Sequence, residues 1–287
     1  MSGLLLPLVL AAAAQAATPA PPRIKWERNF DEALKKAQKL GKPVVVDFWA
    51  EWCTWCERLD QNTYADPLVV AKSQDFVAVK VNTEGSRKAV EVAVRYHVGS
   101  LPTIVFLSPL GRQLGRVNGF QGPGQFPRTL DAVLAISRRV MGWEETLARN
   151  PDDPRALAGL GAHAYEQLAT SAVDEQDVEE ARDLLRRATA VDGDEPVDDR
   201  RRTRMLLAIL ENGSRNYPAA EKLVKEALAL GPRGEDNPKL LFVLGRTYVS
   251  WGRRAEGVAT MEIIVREYPQ SPMAQKARET IVNLAPR

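Results

Sequence analysis

A pair of cysteines placed directly after an apolar run constrains this chain more than any other feature. Cys53 and Cys56 are the only cysteines among its 287 residues, and they follow the β-branched and aromatic run Val44–Trp49. Where such a strand turns into a helix, Cys53 occupies the helix N-terminus, whose free N–H groups and dipole favour a thiolate. Cys56 follows one turn later, within disulfide reach. The spacing therefore predicts two-step thiol–disulfide exchange, in which Cys53 attacks and Cys56 resolves the mixed disulfide.

Two other interpretations of the cysteine pair are weaker. A structural disulfide that closes so short a loop removes little chain entropy from the unfolded state. A metal site needs more ligands, and the only histidines are His97 and His163, of which His163 lies in the helical half of the chain. The sequence thus predicts redox chemistry carried by the Cys53–Cys56 pair itself, with no metal site and no bound cofactor.

Residues 24–140 alternate between helical and strand-like patterns. Asn29 can cap a helix that Gly41 ends. Continuous β-branched runs without polar alternation indicate strands that are covered on both faces. The pattern predicts strands at Val44–Trp49, Phe76–Val81, Thr103–Leu107 and Gln113–Val117, and helices at Ser86–Tyr96 and Gln125–Arg139. Together these segments predict an α/β domain with a mixed central sheet flanked by helices.

Three motifs in this region resemble one known superfamily. The segment Val44–Cys56 reads VVVDFWAEWCTWC, and Leu101–Thr103 reads Leu-Pro-Thr. They resemble the active-site strand and turn, and the cis-proline signature, of the thioredoxin superfamily. Asn62–Pro67 reads Asn-Thr-Tyr-Ala-Asp-Pro. It is similar to a pattern that follows the cysteines in one branch of the superfamily, a Thr-Tyr or Thr-Phe pair and then Asp-Pro. That branch is the soluble C-terminal domain of DsbD-type thiol:disulfide interchange proteins. The resemblance covers roughly residues 24–139 and implies a thioredoxin fold.

The resemblance also implies roles for individual residues. Cys53 corresponds to the attacking cysteine and Cys56 to the resolving one, with Pro102 facing the pair behind a cis peptide bond. Asp47 corresponds to the buried carboxylate beneath the resolving cysteine, where burial raises its pKa and lets it accept the Cys56 proton. Lys80 resembles the lysine that pairs with that carboxylate. The alternative for Lys80 is a solvated side chain at the sheet edge.

Further residues near the cysteines are candidate supporting groups. Asp60 lies four residues after Cys56 on the same helix face, either as a second carboxylate of the site or as a solvated residue. Trp52 and Trp55 flank the cysteines and offer a flat apolar platform for an incoming polypeptide, unless Trp52 simply packs on the domain surface. The intervening dipeptide is Thr54-Trp55 rather than the Gly-Pro of thioredoxin. The reduction potential and the direction of electron flow therefore stay open.

Beyond Met141 the strand signals vanish and only helical periodicity remains. The unit Leu244–Tyr248 has the Leu-Gly-x-x-Tyr pattern of a 34-residue tetratricopeptide repeat, and more degenerate units precede it near Leu207 and Leu160. An irregular helical bundle would show the same periodicity of alanine and leucine, but the positions shared between the units favour repeats. The sequence predicts an all-α, tetratricopeptide-like domain over residues 143–287.

The N-terminal run Leu4–Ala17 is apolar except for Gln15, but a spanning helix needs ~20 such residues and Pro7 interrupts this one. Ala14-Gln15-Ala16 supplies a cleavage site. We therefore predict a signal peptide over residues 1–16, no stable membrane span, and a soluble exported protein, most consistent with the periplasm. The alternative is an uncleaved, alanine-rich tail. The net charge of +2 gives no reason to expect nucleic acid as a partner.

These features together predict an exported protein-disulfide reductase or interchange protein that exchanges disulfides in client proteins. Its predicted partners are protein disulfides, an unidentified thiol electron donor, and a protein recruited by the helical repeats. The alternative, from another class, is a non-catalytic scaffold or chaperone-like protein of the cell envelope. The presence of Cys53, Cys56 and Pro102 argues against a scaffold, which needs none of them.

Overall fold

The computed structural model describes residues 23–170, 173–191, 195–231 and 234–284. The predicted signal peptide over residues 1–16 lies outside these ranges. Within them, none of the helices combines the length and the apolar character needed to cross a membrane.

In the part of the chain that the structure describes, the strands form one mixed sheet. They are β1 Trp26–Glu27, β2 Val44–Trp49, β3 Val77–Asn82, β4 Thr103–Leu107 and β5 Gln113–Asn118. The order across the sheet is β1-β3-β2-β4-β5; β1 and β2 run parallel to β3, whereas β4 is antiparallel to β2 and β5 to β4. The central strands are buried along almost their whole length. The predicted mixed sheet is confirmed.

Short helices flank this sheet. They are α1 Phe30–Leu40, α2 Thr54–Arg58, α3 Pro67–Ser73 and α4 Arg87–Arg95. α1 begins where the Asn29 side chain accepts a hydrogen bond from the N–H of Glu32 (3.1 Å), and it ends at Gly41, whose φ of 61° is left-handed. Both ends are as predicted. α2 continues directly into a π-helical turn, Leu59–Thr63, which the sequence does not predict.

The last helix of this half extends further than the sequence predicts. It is expected to end at Arg139, but α5 runs over Phe126–Arg149 and ends just before Pro151. Its buried face continues past the expected end, since Val140 is fully buried, and no proline interrupts it earlier. The predicted division between the two domains, at residues 140–143, therefore falls inside a helix.

The rest of the described chain contains helices and no strands. They are α6 Pro154–Gln167, α7 Glu175–Ala190, α8 Val197–Gly213, α9 Tyr217–Ala229, α10 Asn237–Ser250, α11 Arg254–Glu267 and α12 Pro272–Leu284. Consecutive helices pack against each other, α6 with α7, α8 with α9, and α10 with α11. The predicted helical character is confirmed, while the assignment to tetratricopeptide-like repeats stays a prediction.

The sheet and the helical region share one apolar core. Leu114 of β5 and Val140 of α5 belong to the same buried cluster as Leu157 and Leu160 of α6. The cluster also contains side chains of β4, so it runs without a break from the central sheet into the first helices beyond it. Burial of apolar surface therefore stabilises the two halves together.

Polar contacts reinforce this junction around the turn between β4 and β5. The Ser108 hydroxyl donates to Oε1 of Glu144 (2.9 Å), and the Arg112 guanidinium lies 3.3 Å from the same oxygen. In α6, Nε2 of His163 lies 2.7 Å from the carbonyl oxygen of Gln113. Burial lowers the pKa of His163, so its neutral ring donates to that carbonyl.

Candidate active site

A disulfide closes at the point where β2 passes into α2. The N–H of Cys53 donates to the carbonyl of Ala50 (3.1 Å), and this turn makes Cys53 the N-cap residue of α2. Cys53 and Cys56 are joined by a disulfide bond. Only 5% of Cys53 and 3% of Cys56 is exposed. The predicted cysteine pair is therefore present in its oxidised form, with both residues buried.

The start of the helix directs a hydrogen-bond donor at the Cys53 sulfur. The backbone N–H of Cys56 donates to Sγ of Cys53 (3.1 Å). Donors and the positive end of a helix dipole stabilise negative charge on a sulfur atom when the disulfide opens. The geometry therefore favours Cys53 as the thiolate of the pair.

Pro102 lies at the same edge of the sheet as the disulfide. β4 begins at Thr103, whose partner on the antiparallel β2 is Phe48, one residue before that strand ends. The Leu101–Pro102 bond is cis, as predicted, and Pro102 is buried. The N–H of Gly119 donates to the Pro102 carbonyl (2.8 Å) and fixes this turn against the end of β5. Contact between Pro102 and a bound substrate stays a prediction.

Asp47 is completely buried in the middle of β2. Burial raises the pKa of its carboxyl from 3.8 to about 6, although the neighbouring Lys80 ammonium acts in the opposite direction. The parallel register pairs Asp47 with Lys80 of β3, and Nζ of Lys80 lies 3.0 Å from Oδ2 of Asp47. The contact is an ion pair without hydrogen-bonding geometry. No other described residue donates a hydrogen bond to either Asp47 oxygen. The structure thus brings the two predicted residues together.

Lys80 links the buried carboxylate to the surface. Its Nζ also lies 2.5 Å from Oδ1 of Asp60, which is half exposed on the π-helical turn. The rings of Trp26, Trp49 and Tyr64 surround the ammonium, with centres between 5.2 and 5.8 Å away. Lys80 is therefore paired with both carboxylates rather than solvated at the sheet edge, and Asp60 belongs to the same charge cluster as Asp47.

Exposed aromatic rings flank the cysteines on the solvent side. Trp52 is 66% exposed, and its indole N–H donates to Oε1 of Glu84 (2.7 Å). Trp55 is 51% exposed; its ring centre lies 5.5 Å from that of Phe120, and the Arg58 guanidinium lies 5.2 Å from it. We call Trp52, Trp55 and Phe120 the aromatic surface. Fixed, exposed rings of this kind offer apolar area to an incoming polypeptide.

A family model described as a thioredoxin-like domain matches residues 30–134, which include β2 to β5, the disulfide and the cis proline. Residues 30–134 are a thioredoxin-like domain. The predicted fold and superfamily are thereby confirmed for this part of the chain.

The thioredoxin-like domain is similar to part of the thiol:disulfide interchange protein DsbD of several bacteria. The sequence is 37% identical over 102 residues to DsbD of Salmonella typhimurium, which covers 34% of this chain and 18% of that protein. DsbD of Vibrio vulnificus is 30% identical over 118 residues, covering 40% of this chain and 19% of that protein. The chain thus spans about a fifth of the length of these curated relatives.

Among solved structures, a thioredoxin from Thermus thermophilus is 30% identical with a TM-score of 0.37, covering 40% of this chain and 90% of its own. The oxidised C-terminal domain of Neisseria meningitidis DsbD is 21% identical with a TM-score of 0.33, covering 37% of this chain and 97% of its own.

Among the side chains of the site, Tyr64, Trp26 and Phe120 are not predicted from the sequence. Tyr64 lies inside the motif that resembles one branch of the superfamily, but nothing in the motif indicates contact with Lys80. Trp26 belongs to a strand of two residues, too short for a recognisable pattern. Phe120 lies in the loop after β5, where no periodicity places it beside Trp55.

Apart from the disulfide site, one group of described side chains has the geometry to hold a metal ion. In the described ranges, His97 of the thioredoxin-like domain and Asp174 and Asp177 at the start of α7 bring one ligand atom each within 4.8 Å of one another. Nε2 of His97 lies 2.9 Å from Oδ2 of Asp177, and each aspartate also accepts a hydrogen bond from the N–H of the other. These contacts link the domain to the N-terminus of α7.

Proposed function

We propose that this chain is an exported thiol:disulfide oxidoreductase, acting as a protein-disulfide reductase or interchange protein. The proposal depends on the Cys53–Cys56 disulfide at the start of α2, where a backbone N–H donates to the Cys53 sulfur. A scaffold or a holding chaperone needs neither this disulfide nor the buried carboxyl of Asp47. The similarity of the domain to proteins named for thiol:disulfide interchange supports the same function.

In the proposed reaction the reduced Cys53 thiolate attacks a disulfide of the client protein. The client S–S bond breaks, one client sulfur leaves and takes up a proton, and the other becomes joined to Cys53. The Cys56 thiol then gives its proton to the Asp47 carboxylate and attacks Sγ of Cys53. The bond between Cys53 and the client breaks, and the second client sulfur leaves. The client has gained two electrons, and the cysteine pair has become the disulfide seen here.

A thiol electron donor, as yet unidentified, regenerates the dithiol by the reverse exchange. Asp47, whose pKa is about 6, is ionised near neutral pH and can accept the proton without contact with bulk water. Pro102 and the aromatic surface are proposed to hold the client backbone and side chains beside Cys53. Lys80 and Asp60 offer a route by which the proton reaches the surface, since Asp60 is half exposed.

The same proposal assigns a part to each segment of the chain. Residues 1–16 act as a signal peptide that directs the protein to the periplasm, and residues 24–140 carry the chemistry. Residues 143–287 form tetratricopeptide-like repeats that recruit the client or the electron donor. Recruitment raises the local concentration of a partner without changing the chemical step.

A cavity in the helical region supports recruitment. It has a volume of about 310 Å³ and lies between α5, α6 and α8. Trp143 and Ile136 contribute apolar surface, and Arg202 forms an ion pair with Glu166 (2.9 Å) at its lining. A lining of mixed apolar and charged side chains suits an amphipathic peptide segment.

Two single-cysteine variants of the full chain test the proposed reaction. The wild type is expected to accelerate the reduction of insulin by dithiothreitol, and both Cys53→Ala and Cys56→Ala are expected to lose this activity. Only Cys56→Ala retains the attacking thiol, so it alone should accumulate a mixed disulfide with the client. Turnover by either variant, or trapping by Cys53→Ala instead, would contradict the assignment. Equilibration of the wild type against a glutathione series then gives the potential and hence the direction of electron flow.

A further inference from the structure

Two buried polar groups beside the Lys80 ammonium have no hydrogen-bond partner among the described residues. Asp47 has no exposed surface, and Tyr64 is only 5% exposed. In the ranges that the structure describes, neither carboxylate oxygen of Asp47 has a hydrogen-bond partner. The hydroxyl of Tyr64 has none there either. Buried polar groups are nearly always hydrogen-bonded, because leaving one unpaired is costly. This pair of groups therefore needs an explanation.

The ring of Tyr64 is held in place by its neighbours. Its centre lies 5.0 Å from the ring of Trp26 and 5.8 Å from that of Phe126, both close to edge-on. The Lys80 ammonium lies 5.5 Å from the Tyr64 ring centre and 3.0 Å from Oδ2 of Asp47. The phenol, the ammonium and the carboxylate thus occupy one buried pocket of side chains.

We propose that Tyr64 is a positioning residue for Asp47: its hydroxyl donates a hydrogen bond to the ionised carboxylate and orients it to accept the Cys56 proton. An ionised carboxylate offers only acceptors, and a phenol hydroxyl can donate one hydrogen bond. One hydrogen bond between them therefore gives each group a partner. The inference rests on the proposed function, since it gives Asp47 a proton to accept.

The charged and titratable groups that face Asp47 come from separate elements. Lys80 lies on β3, and Asp60 and Tyr64 lie on and directly after the π-helical turn. The Lys80 ammonium lowers the pKa of Asp47 and Asp60 raises it, and a hydrogen bond from the Tyr64 hydroxyl lowers it. Removing the hydroxyl leaves the ionised carboxylate with one donor fewer, so the pKa of Asp47 should rise further.

The test compares two tyrosine-to-phenylalanine variants of the full chain. Tyr64→Phe removes the hydroxyl in question, and Tyr96→Phe removes that of a tyrosine that is also buried but donates to the carbonyl of Gly111 (3.0 Å). The Asp47 carboxyl is titrated by carbon NMR in the disulfide form, in which no cysteine ionises. We expect its midpoint to move up by about one to two pH units in Tyr64→Phe, from the loss of one hydrogen bond to a charged group. We expect no movement in Tyr96→Phe.

The second measurement follows the resolution of a mixed disulfide with a small thiol as a function of pH. The midpoint of this profile should move upward with the Asp47 titration in Tyr64→Phe, while the rate well above the midpoint stays unchanged. In an Asp47→Asn background, Tyr64→Phe should change nothing further. A purely structural role for the tyrosine would lower the rate at every pH and in both backgrounds.

The outcomes separate the inference from the function on which it rests. An Asp47 titration that does not move in Tyr64→Phe overturns the inference, whatever the reaction rates are. A resolution rate that does not fall in Asp47→Asn overturns the proposed role of Asp47, even where the titration moves.

Discussion

At the scale of single residues, Asp47 carries the clearest dependence on pH. It is the one polar residue in β2 and has no exposed surface. Its pKa is about 6 in the folded protein, against an ordinary value of 3.8. Between these values the folded state binds more protons than the unfolded state, so stability falls as the pH rises from about 4 to 6. Above pH 6 the folded protein retains the full cost of the buried charge.

Replacing Asp47 by asparagine should therefore stabilise the oxidised protein in a pH-dependent way. Asn resembles the protonated carboxyl, so we expect little change near pH 4. The pKa difference corresponds to a gain of at most about 3 kcal/mol in the free energy of unfolding above pH 6. Urea unfolding of the wild type and Asp47→Asn at a series of pH values between 4 and 8 measures this difference.

Asp131→Asn is the matched control for that series. Asp131 undergoes the same chemical change, but it is half exposed, and its ion pair with Lys72 lies at the surface. Such pairs contribute about 0–1 kcal/mol, so the control should show a small effect without the rise between pH 4 and 6. An effect of Asp47→Asn that is constant over the whole range would mean that burial does not control this carboxyl.

Residues of the site could be predicted when their signal is local. The cysteines are recognised by their spacing, and Asp47 by its place in an apolar run that has no polar alternation. Tyr64 and Phe120 could not be predicted, because their roles depend on partners that only folding brings close. Tyr64 contacts Lys80, and Phe120 contacts Trp55. The sequence also leaves Lys80 between two interpretations, which the parallel register of β2 and β3 decides.

At the scale of elements the same distinction applies. α1 has its own stop and start signals, and β4 is a continuous apolar run, so both are predicted to the residue. β1 has only two residues, and its existence depends on pairing with β3. α5 runs ten residues beyond its predicted end because it packs against α6. The local sequence of α5 contains no signal of this contact.

The contact between α5 and α6 gives a prediction at this scale. A Cβ at Gly159 of α6 would lie 2.3 Å from the Trp143 ring of α5, whereas a Cβ at Gly142 of α5 would meet nothing within 4 Å. Gly159→Ala should destabilise the protein by about 1–3 kcal/mol through overpacking. Gly142→Ala should stabilise it by about 0.5–1 kcal/mol through helix propensity. Urea unfolding measures both, and stabilisation by both variants would contradict this helix contact.

At the scale of the whole molecule, the core shows how the two halves depend on each other. One buried cluster contains Ile104 and Phe106 of β4 together with Leu157 of α6, so the first helix beyond α5 packs into the core of the thioredoxin-like domain. Ile264 of α11 belongs to a separate cluster, with Met261, Ala274 and Ala277. The physical boundary between cooperative units should therefore lie beyond α6 rather than within α5.

Two core truncations in the full chain locate that boundary. Leu157→Ala and Ile264→Ala each remove a fully buried aliphatic side chain, and each should cost about 2–5 kcal/mol locally. Amide hydrogen exchange read out on β4 should become faster in Leu157→Ala, because local opening of α6 removes packing from the sheet. It should stay unchanged in Ile264→Ala. If neither variant affects β4, the thioredoxin-like domain is independent of the helices; if both do, the whole chain is one cooperative unit. Either result would contradict a boundary between α6 and α11.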